Sequence, residues 1–508
     1  PGGRLVMATL ADATNLVPQL STDSASHEVA DQLYIAPIKY DKDLNIVPFA
    51  AESYQVLDGG RRLCFTLRRN LRWSDGAPLT AEDMAFTYRF MVDPKTPTAY
   101  SGDWLMIKDF KVTGPYGFEA DYAEPFSGAL ETWLSPILPR HVMEGRSPTD
   151  NPQLRTPISS GPYLLKQWVP GSHIVLAANP DYFEGRPYID EIVYRIIPDQ
   201  ATQFLELQAG NLDYMDLSPL DAVYKVRGAW WAERFRQYRY PAFSYAYLGW
   251  NLDKPLFRDV RVRQALTLAI DRQEIIQGVL LGLGRTTIGP IKPGTWAYAD
   301  DIAPWPFDPE RAKALLAEAG WTDSDHDGWL DKDGKPFVFT ILTNQGNSQR
   351  IRAAVIIQYR LAQIGVRVSV RTVEWAAFIQ EFINPGRFDA VLLAWTMPLD
   401  PDPYDVWHSV KAEPGGLNFV HYKNAELDGL LTAARATLDR GRRRTLYHRV
   451  QEILHRDQPY CFLYVPMALP IVAARVQGIE PAPAGIGYNM NQWWIPTDRQ
   501  DREPALTP

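Results

Sequence analysis

The feature of the sequence that most constrains the fold is an alternation of strand-like and helix-like segments between residues 337 and 395. The pattern predicts a strand at 337–342, a helix at 348–363 closed by Gly365, an alternating strand at 366–370, a helix at 374–383 and a buried strand at 388–395. Strands separated by single helices pair in parallel through right-handed crossovers. This part of the chain therefore predicts an α/β fold with a parallel sheet.

The last of these strands ends in a large aromatic residue and a cluster of polar atoms. Trp395 is followed by Thr396 and Met397, and then by an Asp-Pro-Asp-Pro turn at 400–403. Proline cannot continue a central strand, so the chain leaves the sheet here. Because small ligands bind at the carboxyl ends of strands in open α/β sheets, we expect Trp395 to line a ligand site. The alternative is a core tryptophan followed by an ordinary surface turn.

Composition limits the class of protein. The chain has 508 residues, 46% of them hydrophobic, which is enough for two or three hydrophobic cores. Its net charge of -8 argues against a nucleic-acid or anionic-membrane partner, because both need a concentrated positive surface. The best apolar stretch, 460–474, is 15 residues long and contains two prolines. A membrane span takes roughly 20 apolar residues, so none is expected.

The rest of the chain predicts two α/β lobes and an insert. Residues 189–217 form one βαβ unit, whereas 40–159 are an α+β section with a hairpin at Asp58-Gly59-Gly60 and a capped helix after Thr80. Ser26 is predicted to cap a short helix that ends near Tyr34. The chain crosses between the lobes at about 244–252 and again near 465–470, which favours a hinged architecture.

Signatures of catalysis are poor. The sequence has no G-x-S-x-G motif, and His27-Glu28 is followed by Asp31 where a zincin motif requires its second histidine. We therefore expect a protein that is not an enzyme and keep a hydrolase as the alternative from another class. Cys64 and Cys461 allow either one disulfide or two buried thiols.

One motif suggests a metal ion. Asp323, Asp325, Asp327 and Asp331 stand at positions one, three, five and nine of a calcium loop, with Gly328 at position six. Carboxylates at alternate positions and a glycine that permits the sharp bend can wrap oxygens around Ca²⁺. The twelfth position lacks the bidentate glutamate, so the expected site is a weak structural one. The alternative is a polar hairpin loop, and no other cofactor is expected.

Several motifs in order resemble those of the extracytoplasmic solute-binding proteins of ABC importers, specifically family 5, which binds peptides, nickel and opines. They are Trp73-Ser-Asp-Gly-Ala-Pro-Leu79 before Ala81-Glu-Asp-Met84, Ser160-Gly-Pro-Tyr163, Asn179-Pro-Asp-Tyr-Phe183, Gly210-Asn-Leu-Asp213, Phe257-Arg-Asp-Val-Arg-Val-Arg-Gln-Ala-Leu266 and Ala319-Gly-Trp321. The resemblance covers almost the whole chain.

The resemblance implies a type II periplasmic-binding-protein fold with a hinge of two crossing strands. Its parts would be lobe I (1–39, 160–245 and 468–508), an extra α+β subdomain of lobe I (40–159) and lobe II (246–467). It also implies delivery of the solute to a membrane permease, a periplasmic or extracytoplasmic location with or without a lipid anchor, and a removed export signal, since the chain begins Pro1-Gly2-Gly3. We expect a monomer.

The resemblance also implies ligand-binding residues. In peptide-binding members a tryptophan of the Trp395 type lines the pocket, and an aspartate three residues later pairs with the peptide's amino terminus. Here that position is Pro398, so Asp400 or Asp402 would substitute, or the ligand lacks a free amino group. An arginine that some relatives carry in the same strand is Leu392 here. The other predicted contacts, each of which could instead be plain packing, are Thr22, Ser24, Ala25, Ser26, Tyr245, Tyr247, Trp375, Thr396, Met397 and Tyr464.

The sequence thus predicts a solute receptor of an ABC importer that closes over a peptide. The alternative within the same fold is a nickel chelate, an oligosaccharide or an opine. Scattered histidines disfavour a naked metal ion, and Pro398 weakens the usual anchor for a peptide.

Overall fold

The computed structural model describes residues 2–126, 128–397 and 400–500. Lobe I is built on a seven-stranded mixed sheet in which Arg4–Thr9 pairs in parallel with both Glu191–Ile196 and Tyr214–Asp216. The order of its strands is Phe235–Gln237, Pro470–Ala473, Tyr214–Asp216, Arg4–Thr9, Glu191–Ile196, His173–Ala178 and Tyr163–Val169. Its helices are Ser24–Leu33, Gln200–Gln208 and Ala229–Arg234. The predicted βαβ unit is thereby confirmed.

The extra subdomain has its own antiparallel sheet of four strands. Their order is Ala51–Leu57, Arg62–Leu67, Gly117–Tyr122 and Ile107–Gly114, with helices Ala81–Val92, Ser101–Trp104 and Arg140–Met143. The predicted hairpin is present, with Gly59 and Gly60 at φ values of 65° and 94° that favour glycine. Thr80 and Asp83 form the predicted capping box. One hydrophobic core runs from lobe I, at Leu5, into the extra subdomain, at Trp133.

Lobe II contains the parallel unit that the sequence predicts. Val338–Asn344 pairs in parallel with Arg367–Val373 on one side and Ala390–Thr396 on the other. The sheet continues through Ser244–Trp250, Tyr460–Ala468 and Tyr240–Pro241. Its helices are Pro255–Arg258, Val260–Leu268, Arg272–Leu280, Pro309–Glu318, Ser348–Ala362, Trp375–Ala377 with the π-helix Phe378–Ile383, Tyr404–Trp407, Ala425–Arg435 and Arg440–Asp457. Parallel pairing places Asn344, Val373 and Thr396 at the same edge.

The two crossings between the lobes are short. The first lies between Phe235–Gln237 and Tyr240–Pro241, which is earlier than the expected position at 244–252. Ser244–Trp250 is instead an interior strand of lobe II, buried at six of its seven positions between two neighbouring strands. The second crossing is Leu469, between Tyr460–Ala468 in lobe II and Pro470–Ala473 in lobe I.

Two local expectations are settled by the structure. The cap of helix Ser24–Leu33 is Asp23 rather than Ser26, because the Asp23 carboxylate accepts a 2.9 Å hydrogen bond from the Ser26 backbone N–H. Cys64 and Cys461 are both free thiols, one partly buried in the extra subdomain and one buried in lobe II. None of the helices in the described part of the chain combines the length and apolar character that a membrane span requires.

Candidate functional site

A cavity of about 240 Å³ lies between lobe I and lobe II, at the carboxyl ends of strands from both sheets. Lobe I contributes the end of strand Arg4–Thr9, the first turns of helix Ser24–Leu33 and strand Tyr214–Asp216. Lobe II contributes Asn344 at the end of a strand, Asn347 and Arg350 at the start of the next helix, and Trp375. Ligand binding at such an edge follows the general rule for open α/β sheets.

The lobe I wall of this first cavity is acidic. Glu28 and Asp216 line the cavity, and Asp31 lies one helical turn from Glu28. Loss of bulk water in the cleft, and then the negative charges of Asp216 and Asp31, raise the pKa of the Glu28 carboxyl to about 8. None of the three carboxylates forms an ion pair within the described residues, so this wall favours a cationic group.

The lobe II wall carries an arginine without a carboxylate partner. The Arg350 guanidinium donates a 2.7 Å hydrogen bond to the Asn344 side-chain oxygen, and the Arg350 backbone N–H donates to Asn347, which caps the helix. Burial lowers the pKa of Arg350, and no described carboxylate lies within ion-pair distance. The Nε1–H of Trp375 is buried and has no acceptor among the residues that the structure describes. These donors suit an anionic or carbonyl oxygen of a bound solute.

Contacts on both sides of the cleft show that the lobes are closed. Next to the first cavity, the Ser348 hydroxyl donates to the Gln200 side chain at 3.0 Å. Beside it, a Cβ built on Gly346 would lie 1.5 Å from the Pro198 carbonyl oxygen. Only a residue without a side chain allows this approach.

The extra subdomain closes on lobe II at another point. The buried Arg435 guanidinium pairs with Asp103 of the subdomain at 2.8 Å and with Asp402 of lobe II at 2.6 Å. The Lys411 ammonium donates to the Ala99 carbonyl at 3.2 Å. Ala99 belongs to a hydrophobic cluster of lobe II, and the ring of Tyr100 packs against that cluster as well as against the lobe I core. The subdomain thus takes part in closure.

A second cavity, of about 570 Å³, lies among the extra subdomain, the first crossing and lobe II. Tyr40 and Glu131 form its subdomain wall, and Tyr240 and Phe243 line it from the first crossing and the adjoining strand. Its lobe II wall consists of 292–296, Asp400 and Arg440. The cavity is bounded by parts that separate when the lobes open.

The predicted site residues fall into groups. Ser24, Ala25 and Trp375 line the first cavity, and Asp400 lines the second. Trp395 is partly buried; its ring stacks on Phe419 at 5.4 Å, and its Nε1–H donates to the Tyr460 hydroxyl. The remaining predicted residues line neither cavity: Ser26, Tyr245, Tyr247, Met397 and Tyr464 are buried in their own lobes, Thr22 is partly buried and Thr396 is exposed. Their ligand contacts stay predictions.

The carboxylates expected to replace the missing aspartate are already neutralised. Asp400 pairs with Arg443 at 2.5 Å and Asp402 with Arg435 at 2.6 Å. The proline at the anchoring position, Pro398, lies outside the described residues. An amino group of a bound solute would therefore find no free carboxylate at Asp400 or Asp402.

Sequence reasoning missed the charged residues of both cavities. Glu28 and Arg350 lie on helices whose sequences carry no motif that marks a binding site. Glu131 begins a short 3₁₀ helix. Trp395 was selected because it lies at the carboxyl end of a parallel strand. Asn344 and Arg350 lie at or just after the carboxyl end of the neighbouring parallel strand, so the same argument could have found them.

The predicted calcium loop brings three of its four carboxylates together. Side-chain oxygens of Asp323, Asp325 and Asp327 all lie within 4.8 Å of one another. Asp331 instead accepts hydrogen bonds from the backbone and hydroxyl of Ser324. The loop is followed by the two-stranded hairpin Asp331–Lys332 and Lys335–Pro336. Three carboxylate oxygens suit a hard cation, and Ca²⁺ binding remains a prediction.

Calcium binding is tested by calorimetric titration of chelator-treated protein. If the loop binds Ca²⁺, millimolar calcium gives a heat of binding and raises the melting temperature, because the ion binds the folded loop preferentially. Asp325→Asn is expected to abolish both effects, whereas Asp333→Asn, two residues beyond the loop's last aspartate, is expected to keep them. The absence of heat and of any thermal shift in the unaltered protein would contradict the prediction.

Two α/β lobes that are joined by two short crossings and closed over charged cavities define a hinged solute-binding protein. Residues 45–416 match the family described as bacterial extracellular solute-binding proteins, family 5. The chain belongs to this family. It is 37% identical over 511 residues to the oligopeptide-binding protein AppA of Bacillus subtilis, covering 97% of this chain and 92% of that protein.

One further relative and two solved structures are similar to this chain over nearly its whole length. A probable di/tripeptide-binding protein of Pseudomonas aeruginosa is 29% identical, covering 94% of each chain. The solved structure of B. subtilis AppA in complex with a nonapeptide is 36% identical and superposes with a TM-score of 0.93 over 98% of this chain and 99% of that one. NikZ of Campylobacter jejuni in complex with Ni(L-His) is 25% identical, with a TM-score of 0.88 over 96% and 99% of the two chains. The predicted two-lobe fold is thereby confirmed.

Proposed function

We propose that the protein is the extracytoplasmic receptor of an ABC importer, which captures a peptide between its lobes and delivers it to a membrane permease. The observation that carries the peptide assignment is the placement of an arginine on one wall of the first cavity and of carboxyl groups on the opposite wall. Arg350 on one wall and the carboxylates Glu28 and Asp216 on the other complement a solute with anionic and cationic groups. The similarity to an oligopeptide-binding relative over nearly the whole chain supports the same solute class.

The geometry suggests capture by hinge closure. Over the described ranges, the chain passes between the lobes only at the two short crossings, so a rotation there opens both cavities together. Solute contacts to both walls favour the closed state because a ligand shifts a conformational equilibrium by its differential affinity for the two states. We expect the remaining predicted residues, above all Trp395, Thr396 and Thr22, to contact a solute that extends between the cavities.

A non-peptide solute is the second candidate. Asp400 and Asp402 are occupied by arginines, which leaves no free carboxylate where peptide-binding relatives hold the amino terminus. NikZ shows that a fold of this type also accommodates a nickel chelate. We further propose a monomer without catalytic activity, located outside the cytoplasm.

The peptide assignment predicts a strong effect of Arg350→Gln. We expect this variant to bind peptides at least about tenfold more weakly, because a desolvated guanidinium that meets a ligand oxygen loses a charged hydrogen bond. Arg352→Gln, at an exposed position of the same helix, is the matched control and should bind normally. Mass spectrometry of the native purified protein first identifies the peptides that it carries. Calorimetry with these peptides then measures the affinity of each variant. Equal affinities would remove the first cavity from the binding site, and a co-purified chelate, sugar or opine in place of peptides would favour the second candidate.

A further inference from the structure

The second cavity contains a carboxylate that no cation neutralises. Glu131 opens the 3₁₀ helix Glu131–Leu134 of the extra subdomain, and its partly buried side chain faces the cavity. No lysine, arginine or histidine nitrogen of the described residues lies within 4.0 Å of its oxygens. Among the described residues, its carboxylate accepts a hydrogen bond from its own backbone N–H and from no other donor. A partly desolvated carboxylate of this kind favours a cationic partner.

The other charged groups around this cavity already have partners. Asp400 pairs with Arg443, which also donates to the Tyr447 hydroxyl at 3.0 Å. On the lobe II wall, the Lys292 ammonium stands 3.3 Å from the centre of the Phe243 ring, and the Arg440 guanidinium stands 4.9 Å from the centre of the Trp296 ring. These cations rest on aromatic faces and do not reach Glu131.

The surroundings of Glu131 keep it partly protonated near neutral pH. Burial, and then the negative charge of Asp400, raise the pKa of the Glu131 carboxyl to about 7, while its own backbone N–H and Arg443 oppose the rise. Tyr40, which also faces Glu131 and Asp400, stays neutral because burial, and then these two carboxyl groups, raise the pKa of its hydroxyl. A cation placed beside Glu131 would favour the ionised form and lower this pKa.

We propose that Glu131 anchors a cationic group of the bound solute and thereby makes the receptor select peptides that carry a positive charge at the position reaching the second cavity. This inference rests on the proposed function. A volume of about 570 Å³ accepts a lysine or arginine side chain or a free amino terminus. The aromatic wall at Tyr40, Tyr240 and Phe243 would cover the apolar part of such a group.

The selectivity test uses a randomised nonapeptide library with free amino termini and the same library acetylated. Protein freed of co-purified solute is incubated with each library, and bound peptides are identified by mass spectrometry. We expect the unaltered protein to enrich lysine or arginine at a fixed position, or to prefer the free-amino library if the α-ammonium is the cation. Glu131→Gln should lose that enrichment at least about tenfold, and Glu52→Gln, exposed on strand Ala51–Leu57 of the same subdomain, should keep it.

A second measurement follows the proton. A synthetic peptide of the most enriched sequence is titrated at pH 7 in two buffers of different ionisation enthalpy. Since the pKa of Glu131 is about 7, binding of the cation should release about half a proton. Affinity should rise as the pH increases through 7, because the ionised form binds the cation. Burial and Arg285 lower the pKa of Lys292 to about 8, so Lys292 also exchanges protons in this range. Its share of the proton release should be the same in the unaltered protein and in Glu131→Gln. The difference in proton release between the two proteins therefore reports Glu131.

The outcomes separate the two proposals. Failure of both libraries to bind would count against the proposed function itself. Peptide binding with the same composition in the unaltered protein and in Glu131→Gln would overturn the role of Glu131 and leave the proposed function standing. Enrichment of acidic residues would also overturn it, because Lys292 and Arg440 would then govern the cavity.

Discussion

Gly346→Val is expected to weaken solute binding by about two orders of magnitude or more while leaving the protein folded. In the closed arrangement a Cβ at this position would lie 1.5 Å from the Pro198 carbonyl oxygen, which is backbone and has no flexible end that can move aside. The two residues belong to different lobes, so the clash arises only on closure. The φ of +83° adds strain of roughly 1–2 kcal/mol, which acts on open and closed states alike.

The control for this variant separates the clash from the strain. Gly210 in lobe I has a φ of +82° and no atom within 4 Å of a built Cβ, so Gly210→Val bears similar strain without an obstacle to closure. Affinity is measured by calorimetry and closure by small-angle scattering with saturating solute. Gly346→Val should fail to contract, whereas Gly210→Val should contract normally. Full closure of Gly346→Val with normal affinity would show that the lobes do not meet at Pro198 in the bound state.

Arg435→Ala is expected to destabilise the protein by about 3–5 kcal/mol, because it leaves buried carboxylates without their cation. Arg435 pairs with Asp103 and Asp402 and lies 3.7 Å from the centre of the Tyr404 ring. After its removal, Lys411 still pairs with Asp405 and acts on Asp103, whereas Asp402 keeps no ion-pair partner among the described residues. Urea unfolding followed by circular dichroism measures the change. Arg449→Ala, which removes exposed ion pairs with Glu426 and Glu452, should leave stability nearly unchanged.

The same cluster has separate effects on folding and on closure. Asp103 belongs to the extra subdomain and Asp402 to lobe II, so Asp103→Asn removes only the ion pair that forms between moving parts. We expect Asp103→Asn to reduce the free energy of solute binding by more than it reduces the free energy of unfolding of lobe II. Equal unfolding of Arg435→Ala and Arg449→Ala would show that the burial of Arg435 contributes no net stability.

The sequence predicts the parallel unit of lobe II well because each of its segments carries its own local signal. Helix Ser348–Ala362 and the strands on either side of it have clear periodicity and a closing Gly365. Ser244–Trp250 was placed at a crossing because its aromatic alternation does not reveal which neighbours cover it. Pairing with Ala390–Thr396 and Tyr460–Ala468 is a tertiary fact that local pattern cannot supply.

The candidate site was predicted less completely, and the reason is physical. Trp375, Ser24 and Ala25 were found through resemblance, and they line the first cavity. Glu28, Glu131 and Arg350 are single charged residues on amphipathic segments, where a charge usually faces solvent. Only the meeting of lobes that are distant in sequence encloses them in cavities. Likewise, the ion pairs of Asp400 with Arg443 and of Asp402 with Arg435 form with helices that pack over the turn, which the sequence of the turn does not reveal.

The common interior of lobe I and the extra subdomain has a consequence for how long a guest is held. Because they share one core, lobe I and the extra subdomain move as one rigid body. The tip of the subdomain, Ala99 and Tyr100, packs against lobe II. Every opening must draw that aromatic tip out into water, at a cost of roughly 1–2 kcal/mol. The cost of exposing this tip would therefore slow the release of a bound solute.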